Sequence, residues 1–426
     1  MSEWVKLKIP DFATIISGAT PATNVSEFWD GEIVWITPND LSKLRSRFID
    51  TSERKISLQG LKSASTTVTP ARSVVMSSRA PIGYFGIPTE DFTTNQGCKS
   101  FVLSDEHDAE FHYYNFVYHA DLFKRYGSGS TFMEISKSNI EKLSFLVPVD
   151  VMEQRKIAKI LSTVDDVIEQ TEAAIKKYQA IKAGMMQDLF TRGIDTRTGK
   201  LRPTIEEAPE LYKESELGWI PKEWDVMLIT DYSNIVTGST PSTGINEYWN
   251  GHINWITPAD MSKIKHQYFT DTDRKITAKG MTSCSANLLP ERSIVMSSRA
   301  PIGYFAIGLK PFTSNQGCKS FELKHGHVSE FHYYNMLHSV RKFLQLGNGS
   351  TFTEVSKSEI EKIKLPVPVY NEEQQAISCI LISCDESIRK EENALIKYRL
   401  IKQGLMADLL TGKVRVNLNE KKVENG

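Results

Sequence analysis

The sequence predicts an α+β protein that contains two copies of a mixed α/β domain and two long helices. The chain is one 220-residue unit written twice, and the copies align without insertion or deletion from Trp4 and Trp224 through Thr191 and Thr411. In each copy, short strand-like runs with turn signals are followed by a long heptad pattern without proline. Together these observations indicate a duplicated domain with a helical connection.

The two copies are most alike in their middle parts. Between residues 76–101 and 296–321, 20 of 26 positions are identical, and both copies contain the runs MSSRAPIGYF and NQGCKSF. The 220-residue period far exceeds the roughly 20–50 residues of solenoid and propeller repeats. Each copy is therefore expected to build its own core.

The first 150 residues show the short strands and turns of a mixed α/β domain. Apolar runs of strand type, bounded by turn signals, occur at residues 33–36, 73–76 and 143–149. A helix is predicted from near Glu110 to Tyr126. A capping-box pattern formed by Ser138 and Glu141, with its equivalent in the second copy, predicts a short helix before the last strand.

The stretch from Glu153 to Phe190, with its equivalent in the second copy, has the heptad pattern of a coiled-coil helix. Two such stretches on one chain predict an intramolecular coiled coil. A helix of about 38 residues rises about 57 Å at ~1.5 Å per residue, so it is expected to act as a spacer. The predicted helix-pair interface consists of Ile157, Leu161, Val164, Ile168, Ile175, Tyr178, Leu189, Ile377, Leu381, Ile388, Leu395, Tyr398, Leu405 and Leu409.

A lysine interrupts the apolar seam at equivalent places, Lys182 and Lys402. A lysine in a coiled-coil seam lowers stability and can fix the register or the order of the helices. The alternative, which is favoured, is that its stem packs on the seam while its ammonium group reaches water.

Length and composition are those of an ordinary globular protein. Of the 426 residues, 40% are hydrophobic and 24% are charged. No apolar run approaches the roughly 18–20 residues that cross a bilayer, and the N-terminus lacks a signal-peptide pattern. We therefore expect a cytoplasmic protein without membrane association. The five cysteines lack zinc-binding spacing and are predicted to be free buried thiols, with no metal site.

A net charge of −1 hides a basic middle in each copy. Residues 41–87 contain eight Lys and Arg against two Asp and Glu, a net charge of +6. Residues 261–307 contain seven against three, a net charge of +4. Such segregation is typical of a surface that holds a polyanion.

Familiar catalytic signatures are absent from the sequence. It contains no GxxxxGK[ST] phosphate loop, no GxGxxG after a strand, no HExxH and no GxSxG motif. The glycine-rich runs that begin at Gly127 and Gly347 lack a lysine and are interpreted as turns. The repeated His112 and His332 are interpreted as structural histidines. Catalysis by this chain alone is not expected.

Several segments, taken in order, resemble the specificity subunit of type I restriction-modification systems. They are GATPAT and GSTPST, FWDGEIVWITPND and YWNGHINWITPAD, SSRAPIGYF, NQGCKSF, GSTFMEISKSNIEKLSFLVPV and EQRKIAKILSTVD. The resemblance covers nearly the whole chain. It implies two target recognition domains, each for half of a bipartite DNA sequence, separated by two long antiparallel helices that form a coiled coil with pseudo-twofold symmetry.

The resemblance also implies a division of labour among subunits. The implied partners are double-stranded DNA, modification (methyltransferase) subunits and restriction (translocase and nuclease) subunits. S-adenosylmethionine, ATP and magnesium would be bound by those subunits, and no cofactor by this chain. The implied segments are recognition domain 1 at 1–150, spacer helix 1 at 151–192, a linker at 193–218, recognition domain 2 at 219–370, spacer helix 2 at 371–412 and a polar, loose tail at 413–426.

Basic side chains are expected to contact phosphates, while polar loop residues contact base edges in the major groove. The candidates for DNA contact are Lys43, Arg45, Arg47, Arg54, Lys55, Arg72 and Arg79, with Lys263, Lys265, Arg274, Lys275, Arg292 and Arg299 in the second copy. Each could instead be a solvated surface charge. Arg79 and Arg299 stand beside a Pro-Ile-Gly turn and are slightly favoured as braces of that loop.

Two similar halves on antiparallel helices predict half-sites related as an inverted repeat, about one helical turn, or roughly 10 base pairs, apart from centre to centre. The copies differ in segments such as SKLRSRFID and SKIKHQYFT, which predicts half-sites that are not identical. There are two alternatives. The basic middle disfavours a decoy that binds only protein, and the missing cofactor motifs disfavour a DNA-modifying enzyme.

Overall fold

The structure is a computed structural model, and it describes residues 3–64, 66–79, 81–127, 133–346 and 354–418. The chain divides into two compact units: unit 1 comprises residues 1–174 and 391–426, and unit 2 comprises residues 175–390. Each unit therefore contains one globular domain and a part of each long helix.

The globular domain of unit 1 is built on one five-stranded and one three-stranded sheet. Its strands are β1 (Trp4–Lys8), β2 (Ala13–Ser17), β3 (Trp29–Ile36), β4 (Phe48–Ile49), β5 (Lys55–Ile56), β6 (Val74–Ser77), β7 (Phe85–Pro88), β8 (Phe92–Thr94), β9 (Cys98–Leu103) and β10 (Ser144–Pro148). Its helices are α1 (Ile9–Phe12), α2 (Pro38–Lys43), α3 (Leu58–Ser63), α4 (Ala109–Tyr118), α5 (Ala120–Arg125), α6 (Lys137–Ile140) and the first part of α7 (Val151–Thr191). The three strand-like runs that the sequence predicted fall on β3, β6 and β10.

The larger sheet has the order β2-β9-β6-β7-β4, antiparallel except for the β7–β4 pair. The smaller has the order β5-β3-β8, in which β3 and β8 are parallel. β1 pairs with β10, so the start of the chain lies against the strand that leads into the long helix.

The core of unit 1 joins the globule to both long helices. Phe101, Phe116 and Phe123 are fully buried in it, from β9, α4 and α5. Ile157 and Leu161 of α7 enter the same cluster, as do three side chains from the end of the last helix, Met406, Leu409 and Leu410. Burial of each large apolar side chain contributes roughly 1.5–3 kcal/mol, so the helix ends are packed parts of the unit.

Unit 2 repeats this construction. Its strands are β11 (Ile194–Asp195), β12 (Lys200–Leu201), β13 (Tyr212–Ser215), β14 (Gly218–Pro221), β15 (Trp224–Leu228), β16 (Ser233–Thr237), β17 (Trp249–Ile256), β18 (Tyr268–Phe269), β19 (Lys275–Ile276), β20 (Ile294–Ser297), β21 (Phe305–Gly308), β22 (Phe312–Ser314), β23 (Cys318–Leu323) and β24 (Lys364–Pro368). Its helices are α8 (Ile229–Tyr232), α9 (Pro258–Met261), α10 (Ala278–Thr282), α11 (Ser329–His338), α12 (Val340–Leu346), α13 (Lys357–Ile360) and the first part of α14 (Asn371–Leu409).

The sheets of unit 2 have the orders β16-β23-β20-β21-β18 and β19-β17-β22, which are those of unit 1 strand for strand. Its core again takes side chains from both long helices, here Leu189 and Phe190 of α7 with Ile377 and Leu381 of α14. Residues 193–218, interpreted from the sequence as a linker, contain the hairpin β11–β12 and the first strand of the hairpin β13–β14.

A buried arginine joins the first hairpin of unit 2 to the start of α14. The Arg202 guanidinium donates to both carboxylate oxygens of Glu373, at 2.5 and 3.0 Å, and the indole of Trp224 donates to the same carboxylate at 2.9 Å. Burial lowers the pKa of Arg202, but the hydrogen bond and charge of Glu373 outweigh it and leave the pKa raised.

Unit 1 contains the equivalent arrangement at the end of the chain. Arg415 donates to the buried Glu153 at 2.8 and 3.1 Å, and Trp4 donates to the same carboxylate at 3.1 Å. Val416 packs against the core of unit 1. The expectation of a loose tail is therefore wrong at Arg415 and Val416, because a buried carboxylate near the start of α7 holds the arginine.

In both units the two helix segments run antiparallel. In unit 1, Lys402 lies 2.5 Å from Asp165, and Arg399 lies 2.6 Å from Glu172, so residue numbers fall along α14 as they rise along α7. In unit 2, Lys182 lies 2.6 Å from Asp385. The predicted pair of long antiparallel helices is confirmed, and α7 contains the whole heptad stretch from Glu153 to Phe190.

The seam lysines do not simply reach water, which corrects the favoured alternative. In unit 2, Asp385 accepts from the hydroxyl of Tyr334 at 2.6 Å as well as from Lys182, whose ammonium lies 5.2 Å from that ring. In unit 1, Asp165 accepts from Tyr114 at 2.8 Å, and Lys402 lies 5.7 Å from the Tyr114 ring. Each lysine is thus one member of a Lys–Asp–Tyr cluster.

The predicted interface residues differ in burial along the helices. Ile157, Leu161, Leu189, Ile377, Leu381 and Leu409 lie in the unit cores, and Ile175 and Ile388 are also buried. The half-buried members are Val164, Ile168, Tyr178, Leu395, Tyr398 and Leu405. The seam side chains are most deeply buried where the helices pack on the globular domains. That these side chains form the helix-pair interface stays a prediction.

Two predicted local elements are corrected. The helix from Glu110 to Tyr126 is interrupted at His119, whose backbone leaves the helical conformation and whose ring Nδ1 lies 2.9 Å from the carbonyl oxygen of Asn115. The short helix α6 is capped by Ser136, two residues before the predicted Ser138. The glycine-rich runs interpreted as turns lie at residues 127–131 and 347–351, of which only Gly127 is among the described residues.

Candidate nucleic-acid interface

Three of the predicted lysines form exposed ion pairs. Lys43, at the end of α2, lies 2.9 Å from Glu53, with both side chains more than half exposed. In unit 2, Lys263 pairs with Asp273, and Lys275 lies 2.8 Å from Asp271. Exposed pairs of this kind contribute about 0–1 kcal/mol, so a phosphate can replace the carboxylate at little cost.

Arg47 is placed differently from the other candidates. Its guanidinium donates to Glu110 at 3.0 Å and to Asp166 of α7 at 3.2 Å, and its side chain is only 12% exposed. The arginine therefore ties the globule of unit 1 to its helix and has little surface left for a phosphate. Gln267 stands at the equivalent position of unit 2 and is buried.

Two candidate arginines lie over the rings of buried tryptophans. The guanidinium carbon of Arg54 is 3.5 Å from the centroid of Trp29, and that of Arg274 is 3.6 Å from the centroid of Trp249. Both arginine side chains remain exposed. The cation–π contact anchors each guanidinium, and the exposure of the side chain leaves N–H donors available to a phosphate or a base.

Arg79 and Arg299 each brace a glutamate of a later segment; that they brace the adjacent Pro-Ile-Gly turn, as the sequence favoured, stays a prediction. Arg79 donates to Glu134 at 3.0 Å and Arg299 to Glu354 at 2.9 Å, and the same residues form isolated β-bridges. Each side chain is still about half exposed, at 46% and 48%. Bracing and phosphate contact are therefore compatible at these two positions.

The remaining candidates lie on turns and strand ends. Arg45, Lys55, Arg72 and Lys265 have no ion pair within the described part of the chain. Arg72 and Arg292 adopt the left-handed backbone conformation, with φ of 62° and 72°. Non-glycine residues are uncommon there, and such outliers cluster at functional sites. Arg292 also pairs with Glu330 of α11.

A lysine and a glutamine that the sequence did not single out lie next to the braces. Lys99 and Lys319 are buried, and the Lys319 ammonium donates to Ser298 at 3.2 Å and to Glu354 at 3.3 Å. Gln96 and Gln316 are exposed on the turns between β8 and β9 and between β22 and β23. The repeated run NQGCKSF could have drawn attention to these glutamines, but only the fold shows that they are exposed.

The repeated histidines are structural. His112 is fully buried and stacked on Phe12, and its Nε2 lies 3.0 Å from Nδ1 of His107. Burial, and secondarily the nearby His107, lower the pKa of His112 well below 6.5. His332 repeats the arrangement with Tyr232 and His327. A core histidine kept neutral fits the interpretation made from the sequence.

The described residues offer few other features of chemical interest. Within the ranges described, no three His, Cys, Asp or Glu side chains gather as a metal site requires. Among those same residues, no helix has the length and apolar character needed to cross a membrane. Cys98 and Cys318 are buried free thiols, but Cys379 is exposed, so the prediction of buried thiols is wrong for that residue.

Known proteins resemble this chain in both sequence and fold. It is 40% identical over 190 residues to the type I restriction enzyme MjaIX specificity subunit of Methanocaldococcus jannaschii, and the alignment spans 44% of each chain. It is 24% identical to the MjaVIII specificity subunit of the same organism, over 98% of this chain and 94% of that one. Its fold matches that of the S subunit of a type I restriction-modification system from M. genitalium, with a TM-score of 0.60, 15% identity and 96% coverage of both chains.

The family match follows the internal repeat. The sequence matches the family described as type I restriction modification DNA specificity domain over residues 1–178, and again over residues 221–398. These two ranges contain the globular domains and the starts of the two long helices. The chain therefore belongs to the family of type I restriction modification DNA specificity domains and carries that domain twice.

Proposed function

We propose that this chain is the subunit of a type I restriction-modification complex that recognises a bipartite DNA target. The observation that carries the proposal is the repetition of the specificity domain on two units of the same topology, each with exposed basic side chains. Arg54 and Arg274, together with the unpaired Arg45, Lys55 and Lys265, are the side chains best placed to contact phosphates. Arg47 is not proposed to contact phosphates, because its side chain is largely buried.

The proposal assigns no catalysis to this chain. Methyl transfer and DNA cleavage would belong to modification and restriction subunits, which would bind S-adenosylmethionine, ATP and magnesium. The repeated His112 and His332 are buried and stacked on aromatic rings. This chain would supply position and sequence selection.

The target is proposed to have two related but unequal halves. The copies share 20 of 26 residues across 76–101 and 296–321, but only 10 of 32 across 41–72 and 261–292. Similar halves imply similar half-sites, and antiparallel helix segments favour an inverted arrangement. The variable segments are the proposed source of the difference between the half-sites.

Methylome sequencing tests the proposal directly. The chain is expressed with its modification subunit in a host that lacks the system, and a strain with the modification subunit alone is the control. The expected result is a new methylated motif with two short halves. A spacer of several base pairs, fixed in length but without base preference, should separate them. An active modification subunit that yields no motif with the chain present would overturn the proposal.

A further inference from the structure

Each unit presents one glutamine on a turn that the rest of the domain holds rigid. In unit 1 this is Gln96, between β8 and β9. The backbone of the turn is fixed on both sides: Asn95 N–H donates to the carbonyl of Ile36 at 3.0 Å, and Ser78 N–H donates to the carbonyl of Gly97 at 2.8 Å. The side chain of Asn95 closes the turn by accepting from Gly97 N–H at 3.0 Å.

The side chain of the glutamine is also oriented. The hydroxyl of Thr20 donates to Oε1 of Gln96, and the hydroxyl of Thr240 donates to Oε1 of Gln316. Within the described part of the chain, the amide nitrogens of both glutamines make no hydrogen bond, and both side chains are exposed. Each amide is thus held by its oxygen and offers its NH₂ group, with one oxygen lone pair, to solvent.

The threonine that holds the glutamine is itself fixed by the domain. It lies in the loop after β2, where Trp35 Nε1 donates to the carbonyl of Ala19 at 3.0 Å. Gly18 packs so closely on β8 that an added Cβ would lie 2.1 Å from the carbonyl oxygen of Thr94. A rigid support for one exposed polar group is what a recognition contact requires, since ordering on binding then costs little.

The surroundings favour a nucleic-acid ligand. The buried Lys99 ammonium lies 3.4 Å from the carbonyl oxygen of Gln96 and places a positive charge beneath the turn. In unit 2 the equivalent lysine, Lys319, pairs with Glu354, which also pairs with Arg299. The NH₂ group alone could also donate to a phosphate, but a phosphate would leave the acceptor of the amide unused. The amide is well suited to adenine, whose N6 and N7 match the acceptor and donor of a glutamine.

Resting on the function proposed above, we propose that Gln96 and Gln316 are specificity-determining residues that contact an adenine at the same place in each half-site. Identical residues on identical turns would read the same base, whereas the variable segments would read the bases that differ. Each half of the target would therefore share at least this one A·T pair, in inverted orientation.

The experiment compares methylomes made by the complex of this chain with its modification subunit. In Gln96→Ala, one position in one half of the motif is expected to become degenerate, with discrimination there falling by roughly one to two orders of magnitude. Gln316→Ala is expected to do the same in the other half. Gln96→Glu should instead favour cytosine, because a carboxylate accepts from N4. Gln170→Ala, at another exposed glutamine, on α7, is the control and should leave the motif unchanged.

The outcomes separate this inference from the proposed function. A wild-type chain that yields no motif overturns both. A wild-type motif that Gln96→Ala and Gln316→Ala leave unchanged overturns the inference alone. If a variant yields no motif, its thermal stability and its binding to duplexes with each base at the position are measured. Equal loss for all four bases at wild-type stability would indicate a phosphate contact and overturn base recognition.

Discussion

At the scale of single residues, the contacts of each basic side chain decide whether it has a structural role or is exposed to a ligand. Arg47 and Arg54 are seven residues apart in one basic segment, and nothing in the sequence distinguishes them. The structure buries Arg47 between Glu110 and Asp166 and leaves Arg54 exposed on Trp29. Sequence reasoning therefore found a basic segment but could not sort its members, because the carboxylate partners of Arg47 lie 63 and 119 residues away.

Replacement of Arg54 by alanine is expected to weaken DNA binding without unfolding the domain. If the stacked guanidinium contacts one phosphate, the slope of log K against log salt should decrease by about one for the variant. Fluorescence anisotropy with a duplex that carries the methylated motif measures the slope over a series of salt concentrations. Arg197→Ala, an exposed arginine on the hairpin β11–β12, is the matched control, and an identical slope in both variants would contradict the assignment.

The buried histidines predict an acid-sensitive fold. The pKa of His112 and of His332 is depressed in the folded state, whereas an unfolded chain protonates histidine near pH 6.5. The unfolded state therefore binds more protons than the folded state below about pH 6.5. As the pH falls from 6.5 to 5.5, the free energy of unfolding of each unit should decrease by about 1 kcal/mol for its buried histidine. Urea denaturation at pH 7.5, 6.5 and 5.5 measures this fall.

The matched variant for the pH experiment is His112→Gln with His332→Gln, which keeps a polar partner for His107 and His327. Its stability at pH 7.5 is expected to be lower, but its loss between pH 6.5 and 5.5 should be smaller than that of the wild type. Equal losses in variant and wild type would assign the acid sensitivity to carboxylates instead.

At the scale of elements, the heptad pattern predicted both long helices closely, because their apolar stripe is local in sequence. The Lys–Asp–Tyr clusters were not predictable, since each one brings together the seam lysine, an aspartate of the other helix and a tyrosine of the globule. Hairpins β11–β12 and β13–β14 were also missed, because a polar segment rich in turn residues gives no strand signal.

The cluster in unit 2 predicts a strong dependence of stability on both of its charged members. Lys182→Met would leave Asp385 with only the hydroxyl of Tyr334, and we expect a loss of about 2–3 kcal/mol, between the values for exposed and fully buried pairs. The double variant Lys182→Met with Asp385→Leu should recover most of that loss. Urea denaturation of both variants, with the Lys402 cluster left intact, provides the comparison. A double variant as unstable as the single one would contradict this explanation.

Helix length is expected to set the unread spacer of the target. Residues 168–174 and 395–401 face each other across the antiparallel pair, as the contact between Glu172 and Arg399 shows, so one heptad can be removed from both helices together. Seven residues correspond to about 10 Å of helix, or about three base pairs. Methylome sequencing of this variant should show a shorter spacer or no methylation. An unchanged spacer would refute the role of the helices as a ruler.

At the scale of the whole molecule, the repeat predicted two units of one topology, and the structure confirms this. The arginine–glutamate pair that is buried in each unit could not be predicted. Arg202 lies in an internal hairpin and Arg415 near the end of the chain, and neither the spacing nor the surrounding sequence of the two is the same. Only the buried acceptors, Glu373 and Glu153, reveal that they are equivalent.

Arg415→Met is expected to destabilise unit 1 by about 3 kcal/mol, because it leaves the buried Glu153 without its arginine. Arg202→Met should cost unit 2 at least as much, since that pair is more deeply buried. The neighbouring exposed Lys413→Met is the control and should change stability by less than about 1 kcal/mol. Urea denaturation of the three variants tests the order. A loss for Lys413→Met equal to that for Arg415→Met would contradict the explanation.

The composition of the Lys–Asp–Tyr clusters has a consequence for stoichiometry. Each cluster takes its lysine from one copy of the repeat and its aspartate from the other, yet every single copy contains both, as Asp165 and Lys182 in the first and Asp385 and Lys402 in the second. A half-length chain would therefore carry both the lysine and the aspartate of the cluster. In a homodimer of two such chains, the lysine of each chain could pair with the aspartate of the other.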